Sequence, residues 1–169
     1  SFIHQGREPW GAVVGDSVVD LCLAMPQHAS LADYIASGEY TQAAQHVEGL
    51  APAAKLADIR FLPVIPRSEK IICAVRNYMD HHQEVLAAGM QRELSEQPPI
   101  FLRVWRSQCA HNAPIVRPRV SESLDWEGEL AVITGKGGRD IAEADAYDHV
   151  AGYACYNDGS VRDWQKSGR

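Results

Sequence analysis

Several things this 169-residue sequence lacks each remove a class of protein. No apolar run approaches the roughly 20 residues that a membrane-spanning helix needs, and no basic, hydrophobic, small-residue leader opens the chain. The expectation is a cytoplasmic protein with no membrane partner. Positive charge is also scarce. The 16 Lys and Arg against 22 Asp and Glu leave a formal charge of −6 and a pI near 5.6, whereas a duplex nucleic-acid binder carries a basic surplus. No nucleic-acid partner is expected. There is no Cys-x-x-Cys pair, and Cys22, Cys73, Cys109 and Cys155 lie far apart, which points to reduced, buried thiols rather than disulfides or a zinc site. One absence is local. From Gln97 to Ser121 no acidic residue occurs, while Arg103, Arg106, Arg117 and Arg119 all fall inside that stretch. A carboxylate-bearing substrate could dock there, although arginines on an exposed strand face would read the same way.

What is present is ordinary for a globular chain: 46% hydrophobic and 22% charged residues, enough to build a core for one domain or one with a small addition. Gly11 to Leu21 alternates as two short strands around a Gly-Asp-Ser turn. Ser30 caps a short helix that runs through Ile35 and stops at Gly38, and the alanine-rich stretch from Thr41 to Leu56 is helical in part until Pro52 interrupts it. Pro63 and Pro66 bracket a linker, which places the boundary between a small amino-terminal domain of residues 1–67 and a second domain of residues 68–169. Beyond it, Lys70 to Val75 reads as a strand and leads to a helix for which Asn77 is the cap, with Asp80 in its first turn. Further strands are expected at Ile100–Val104, Ile115–Arg117, Leu130–Thr134 and Val150–Tyr156, with a short helix from Ala142 to His149. Gly135-Lys136-Gly137-Gly138 lacks the spacing of a phosphate loop and reads as a turn. The four tryptophans, Trp10, Trp105, Trp126 and Trp164, read as core or rim packing.

Chemistry concentrates in Asp125-Trp126-Glu127-Gly128-Glu129-Leu130. On an extended backbone Glu127 and Glu129 share a face, and two like charges held so close repel unless a cation lies between them. An all-oxygen site of this kind suits magnesium, manganese or calcium. A solvent-facing acidic edge has the same pattern, so the motif alone does not decide. Asp158, at the end of the Val150 run, could supply a third carboxylate, although Asn-Asp-Gly is equally a plain turn. His81 and Glu84 stand three apart on the expected helix, the spacing of an imidazole steered by a carboxylate and also of a surface ion pair. His82 faces elsewhere and reads as structural.

Taken together, these residues resemble the fumarylacetoacetate hydrolase family. The resemblance rests on Lys70-Ile71-Ile72-Cys73, on Asn77-Tyr78 with Asp80-His81 and Glu84, on Pro99-Ile100-Phe101-Leu102-Arg103, on Trp126 to Val132, and on Asp148 to Tyr153 with Asn157-Asp158 and Ser160 to Gln165. It covers residues 70 to 165 with five motifs in order. It implies an α+β fold, the family's mixed β-roll preceded by a small amino-terminal α+β domain, assembled as a homodimer. It also implies that Glu127, Glu129 and Asp158 ligate Mg2+ or Mn2+, with Ca2+ as a further candidate, that His81 and Glu84 are catalytic, and that Arg103 and Tyr78 bind substrate.

The implied reaction is metal-dependent hydrolysis of a carbon–carbon bond in a small 2,4-dioxo, acylpyruvate-like acid through an enolate. Decarboxylation or keto–enol tautomerisation of a 2-oxo diacid, as in aromatic catabolism, is the alternative. A third reading is a metal-binding relative without turnover. Three departures from the family pattern stand out. Arg103 and Val104 replace a common Lys-Pro, Gly159 replaces a larger residue, and the sequence ends at Arg169, before the stretch where relatives place a further lysine and a Thr-Gly-Thr-Pro segment. A complete β-roll is therefore not expected from these residues alone.

Overall fold

A computed structural model describes residues 1–75, 77–87, 89 and 96–167. They form two compact units, Ser1–Ile65 with Cys109–Arg169 and Pro66–Gln108.

The first unit begins with strands β1 (Phe2–Ile3), β2 (Gly11–Val14) and β3 (Ser17–Asp20), followed by helices α1 (Leu21–Ala24), α2 (Leu31–Ser37) and α3 (Ala43–Val47) and strands β4 (Ala54–Lys55) and β5 (Arg60–Phe61). β2 and β3 form the expected hairpin, with Val14 opposite Ser17 and Gly15 at φ 59°, a left-handed position that glycine adopts without penalty. β3 is the middle strand of three, between β2 and β4, and its first three residues are buried. Ser30 caps α2 by accepting the Asp33 N–H at 3.1 Å, and Gly38 ends it. α3 ends at Val47, ahead of Pro52, and a 3-10 turn at Leu56–Asp58 follows it before β5.

The core of this unit is Trp10, Val19, Leu21, Met25 and Tyr34. Trp10 stacks on Tyr34 with ring centroids 4.9 Å apart. Both polar tips are satisfied: the Trp10 indole N–H donates to the His28 carbonyl at 3.1 Å, and the Tyr34 hydroxyl lies 2.9 Å from His46 Nδ1. His28 in turn pairs with Glu39 at 3.0 Å.

The second unit contains strand β6 (Ile71–Ala74), helix α4 (Met79–Ala87) and strand β7 (Ile100–Arg103). β6 and β7 pair antiparallel, Ile71 opposite Arg103 and Ala74 opposite Ile100. α4 starts at Met79, so Asn77 lies two residues ahead of the helix rather than at its cap, while Asp80 does occupy the first turn.

The later part of the first unit adds strands β8 (Leu124–Asp125), β9 (Gly128–Thr134), β10 (Val150–Asn157) and β11 (Ser160–Val161) and helix α5 (Arg162–Ser167). β9 and β10 form a long antiparallel ribbon with an irregularity between Val150 and Gly152, and β11 pairs with β8. The segment between β9 and β10 ends in the expected short helix, which is of the 3-10 type and spans Glu143–His149.

Three expectations need correction. No strand forms at Ile115–Arg117, because Pro114 and Pro118 flank it without ladder N–H groups, and Val116 is left 81% exposed. The thiols are free, but Cys109 and Cys155 are exposed rather than buried. Trp10 is core, whereas Trp126 and Trp164 are exposed at 76% and 62%. Among the described residues no helix is long and apolar enough to cross a membrane.

Candidate metal centre and catalytic residues

The carboxylates are placed by strand geometry. Along Glu127 and β9, burial alternates so that Glu127 and Glu129 lie on the half-buried side and Gly128 and Leu130 on the exposed side. Across the ribbon Glu129 stands opposite Tyr156 and Gly128 opposite Asn157. Beyond that last pair the Asp158 N–H donates to the Glu127 carbonyl at 2.9 Å, and the Glu127 N–H donates to Asn157 Oδ1 at 3.0 Å. Glu127, Glu129 and Asp158 are therefore brought to one end of one ribbon. Asp158 is buried, with 6% of its surface exposed.

An arginine shares this end. Arg162, the first residue of α5, is anchored by its own N–H to the Ser123 carbonyl at 2.9 Å. Its Nε donates to Asp125 Oδ2 at 2.9 Å, and its Nη1 lies 2.9 Å from Glu127 Oε1 and 3.1 Å from Gln165 Oε1. Glu127 Oε1 is shut off from solvent and makes no aligned hydrogen bond among the described residues. The guanidinium is its charge partner without being a well-directed donor.

The chemistry of the donor set fits a divalent cation, since three carboxylates offer the hard oxygen ligands that Mg2+, Mn2+ and Ca2+ take. The side chains as they stand are not gathered: among the described residues no group of three His, Cys, Asp or Glu is arranged to hold a metal ion. Glu127 is engaged by Arg162 instead.

The remaining expected residues belong to the other unit. On α4, His81 Nδ1 and Glu84 Oε2 are 3.5 Å apart, a long contact with side chains 52% and 78% exposed. His82 is the buried residue of that helix, consistent with a packing role. Tyr78 is half exposed just ahead of α4, and its carbonyl accepts the His82 N–H at 3.1 Å. Arg103 ends β7 with its guanidinium 5.8 Å from the Phe101 ring centre. Of the other arginines in the acid-free stretch, Arg106 lies 4.2 Å over the Trp105 ring, and Arg117 donates to the Ser121 carbonyl.

Sequence reasoning gave no role to Asp125, Asn157 or Arg162. The signal for Arg162 was a cation four residues after a candidate ligand, in a segment otherwise quoted only as motif. The replacement at Gly159 has no steric cause: a Cβ there would meet nothing closer than 3.8 Å.

An antiparallel ribbon ending in three carboxylates, within an α+β architecture, defines a class. Residues 70–169 match the family described as fumarylacetoacetate (FAA) hydrolase C-terminal, and the chain belongs to that family. The oxaloacetate tautomerase fahd2, mitochondrial, of Xenopus laevis is 41% identical over 109 residues, covering 64% of this chain and 33% of the relative. The fumarylacetoacetate hydrolase of Exiguobacterium antarcticum superposes with a TM-score of 0.74 at 30% identity, covering 99% of this chain and 57% of that one. The maleylpyruvate hydrolase of Sphingobium sp. SYK-6, solved in complex with manganese (II) ion and pyruvate, gives 0.71 at 27% identity, covering 95% and 58%. The fold is thus the α+β fold of fumarylacetoacetate hydrolases. The chain spans between a third and a half of the length of the curated relatives it matches.

Proposed function

We propose that this chain serves a divalent-cation-dependent enzyme that interconverts the keto and enol forms of a small 2-oxo dicarboxylic acid. The observation that carries this reading is its likeness to oxaloacetate tautomerases, at 41% identity for the Xenopus laevis protein, together with the three carboxylates at one end of the ribbon. This reverses the order of the two reactions expected from sequence, in which hydrolysis came first.

Glu127, Glu129 and Asp158 would hold the cation, which when bound supplies Lewis-acid stabilisation of negative charge on the 2-oxo oxygen. His81 would take a proton from the carbon beside the carbonyl, the C–H electron pair forming a carbon–carbon double bond as the carbonyl π pair moves to oxygen, and would return the proton to that oxygen as the enol. Glu84 would orient the imidazole and balance its charge while protonated. Arg103 and Tyr78 would bind a substrate carboxylate by charge and by a phenolic hydrogen bond. The reaction needs no water and no co-reactant.

Hydrolysis of an acylpyruvate is the second reading, favoured by the structural likeness to a maleylpyruvate hydrolase solved with manganese and pyruvate. His81 would then take its proton from water. In this reading the protein would act as a cytoplasmic homodimer, with domains at 1–67 and 68–169.

The test is a product assay on the full polypeptide with enol-oxaloacetate, 2-oxo diacids and acylpyruvates, with Mg2+ or Mn2+ and with EDTA. Loss of enol absorbance without cleavage, abolished by EDTA, supports tautomerisation. Pyruvate from an acylpyruvate moves the protein to the hydrolase branch, and carbon dioxide to the decarboxylase. Cation binding without any turnover would leave the metal-binding relative.

A further inference from the structure

The acidic end of the ribbon already contains a cation of its own. Arg162 cannot drift from it, because its backbone is tied to Ser123 and the β8–β11 pair, Ser160 opposite Asp125 and Val161 opposite Leu124, ends directly before it. Asp163 adds a second tether by accepting the Ser121 hydroxyl at 2.7 Å. The guanidinium divides its charge between two carboxylates, Asp125 through Nε and Glu127 through Nη1, both at 2.9 Å.

The two contacts differ in quality. The Asp125 contact is an aligned hydrogen bond. The Glu127 contact is a close approach of charges in which Oε1 receives no aligned donor although it is buried. A buried carboxylate oxygen compensated only by charge is one that a small divalent cation satisfies better, since it can approach directly and carries twice the charge.

We propose that Arg162 is a resident counter-cation for Glu127 which a divalent cation must displace, so that metal binding by this chain is opposed by its own arginine. Arg162 is in this sense a positioning residue: it holds Glu127 in the metal-free state and, once released from it, remains tethered by Asp125. The inference rests on the proposed reading of Glu127, Glu129 and Asp158 as ligands.

Titration of the full chain with Mn2+, followed by calorimetry and by the loss of free-ion electron paramagnetic resonance signal, tests it without reference to activity. Arg162→Gln removes both the competitor and its repulsion, and is expected to tighten the Mn2+ Kd by roughly two- to fivefold, the scale of a partly exposed ion pair. Arg162→Lys, which keeps the charge but has one ammonium to share, is expected to tighten it less, and it keeps the test available should the Gln variant fold poorly by circular dichroism. Asp125→Asn should weaken Mn2+ binding in the parent chain and have a smaller effect beside Arg162→Gln, because its influence runs through the arginine. Unchanged or weaker Mn2+ binding in folded Arg162 variants would overturn the competition while leaving the ligand assignment standing. If the parent chain binds no Mn2+, the ligand assignment fails and the inference falls with it.

Discussion

Of the glycines among the described residues, Gly11 has the least room for a side chain. A Cβ added there would lie 1.8 Å from the Val19 carbonyl oxygen and 2.9 Å from its carbon, so the β2–β3 pair must part by more than an ångström to admit one methyl group. That pair carries Trp10 into the core: the Leu21 N–H donates to the Trp10 carbonyl at 3.0 Å, and Gly11 stands opposite Asp20. Overpacking costs about 1–3 kcal/mol and a lost ladder hydrogen bond about 1 kcal/mol more, so Gly11→Ala should destabilise by roughly 2–4 kcal/mol. At roughly 2–4 °C per kcal/mol for a chain of this size, the Tm should fall by about 4–16 °C. The assay is thermal unfolding followed by circular dichroism and by tryptophan fluorescence. Gly159→Ala is the control, because its Cβ would have no neighbour closer than 3.8 Å, and its Tm should move by no more than about 2 °C. Equal melting temperatures for the two variants would refute the steric argument.

Ser30→Ala removes the hydroxyl that accepts the Asp33 N–H, and should cost about 1 kcal/mol, read as a lower midpoint in urea. The Tyr34 phenol is pushed above its usual value by desolvation first and by the Glu39 charge second. A raised folded value stabilises below the unfolded value of about 10 and is lost as pH rises through the folded one, so the parent chain should lose melting temperature above about pH 10 more steeply than Tyr34→Phe. Asp158→Asn, which keeps the shape of a buried side chain, should weaken Mn2+ binding by at least about tenfold in calorimetry while the far-ultraviolet spectrum stays unchanged.

The parts of the molecule that were legible in the sequence are those fixed by local rules. The Gly15 turn, the Ser30 cap, the Gly38 stop and the period-two alternation through Glu127 and Glu129 each follow from neighbours within a few residues. Ile115–Arg117 has the composition of a strand, but its flanking prolines deny it the hydrogen bonds that pairing would need. The exposure of Trp126, Trp164, Cys109 and Cys155 was not legible, because apolar composition says what a side chain prefers and not which surfaces cover it. In the site, the residue types were readable and the pairing was not. Arg162 reaches Asp125 and Glu127 across a gap of more than thirty residues, and only the β8–β11 register brings them together.

The most direct test of the account is the rate at which enol-oxaloacetate loses its ultraviolet absorbance in the presence of the full polypeptide and Mn2+. The account predicts acceleration that disappears with EDTA and in Asp158→Asn. Acceleration that persists undiminished in both would contradict it.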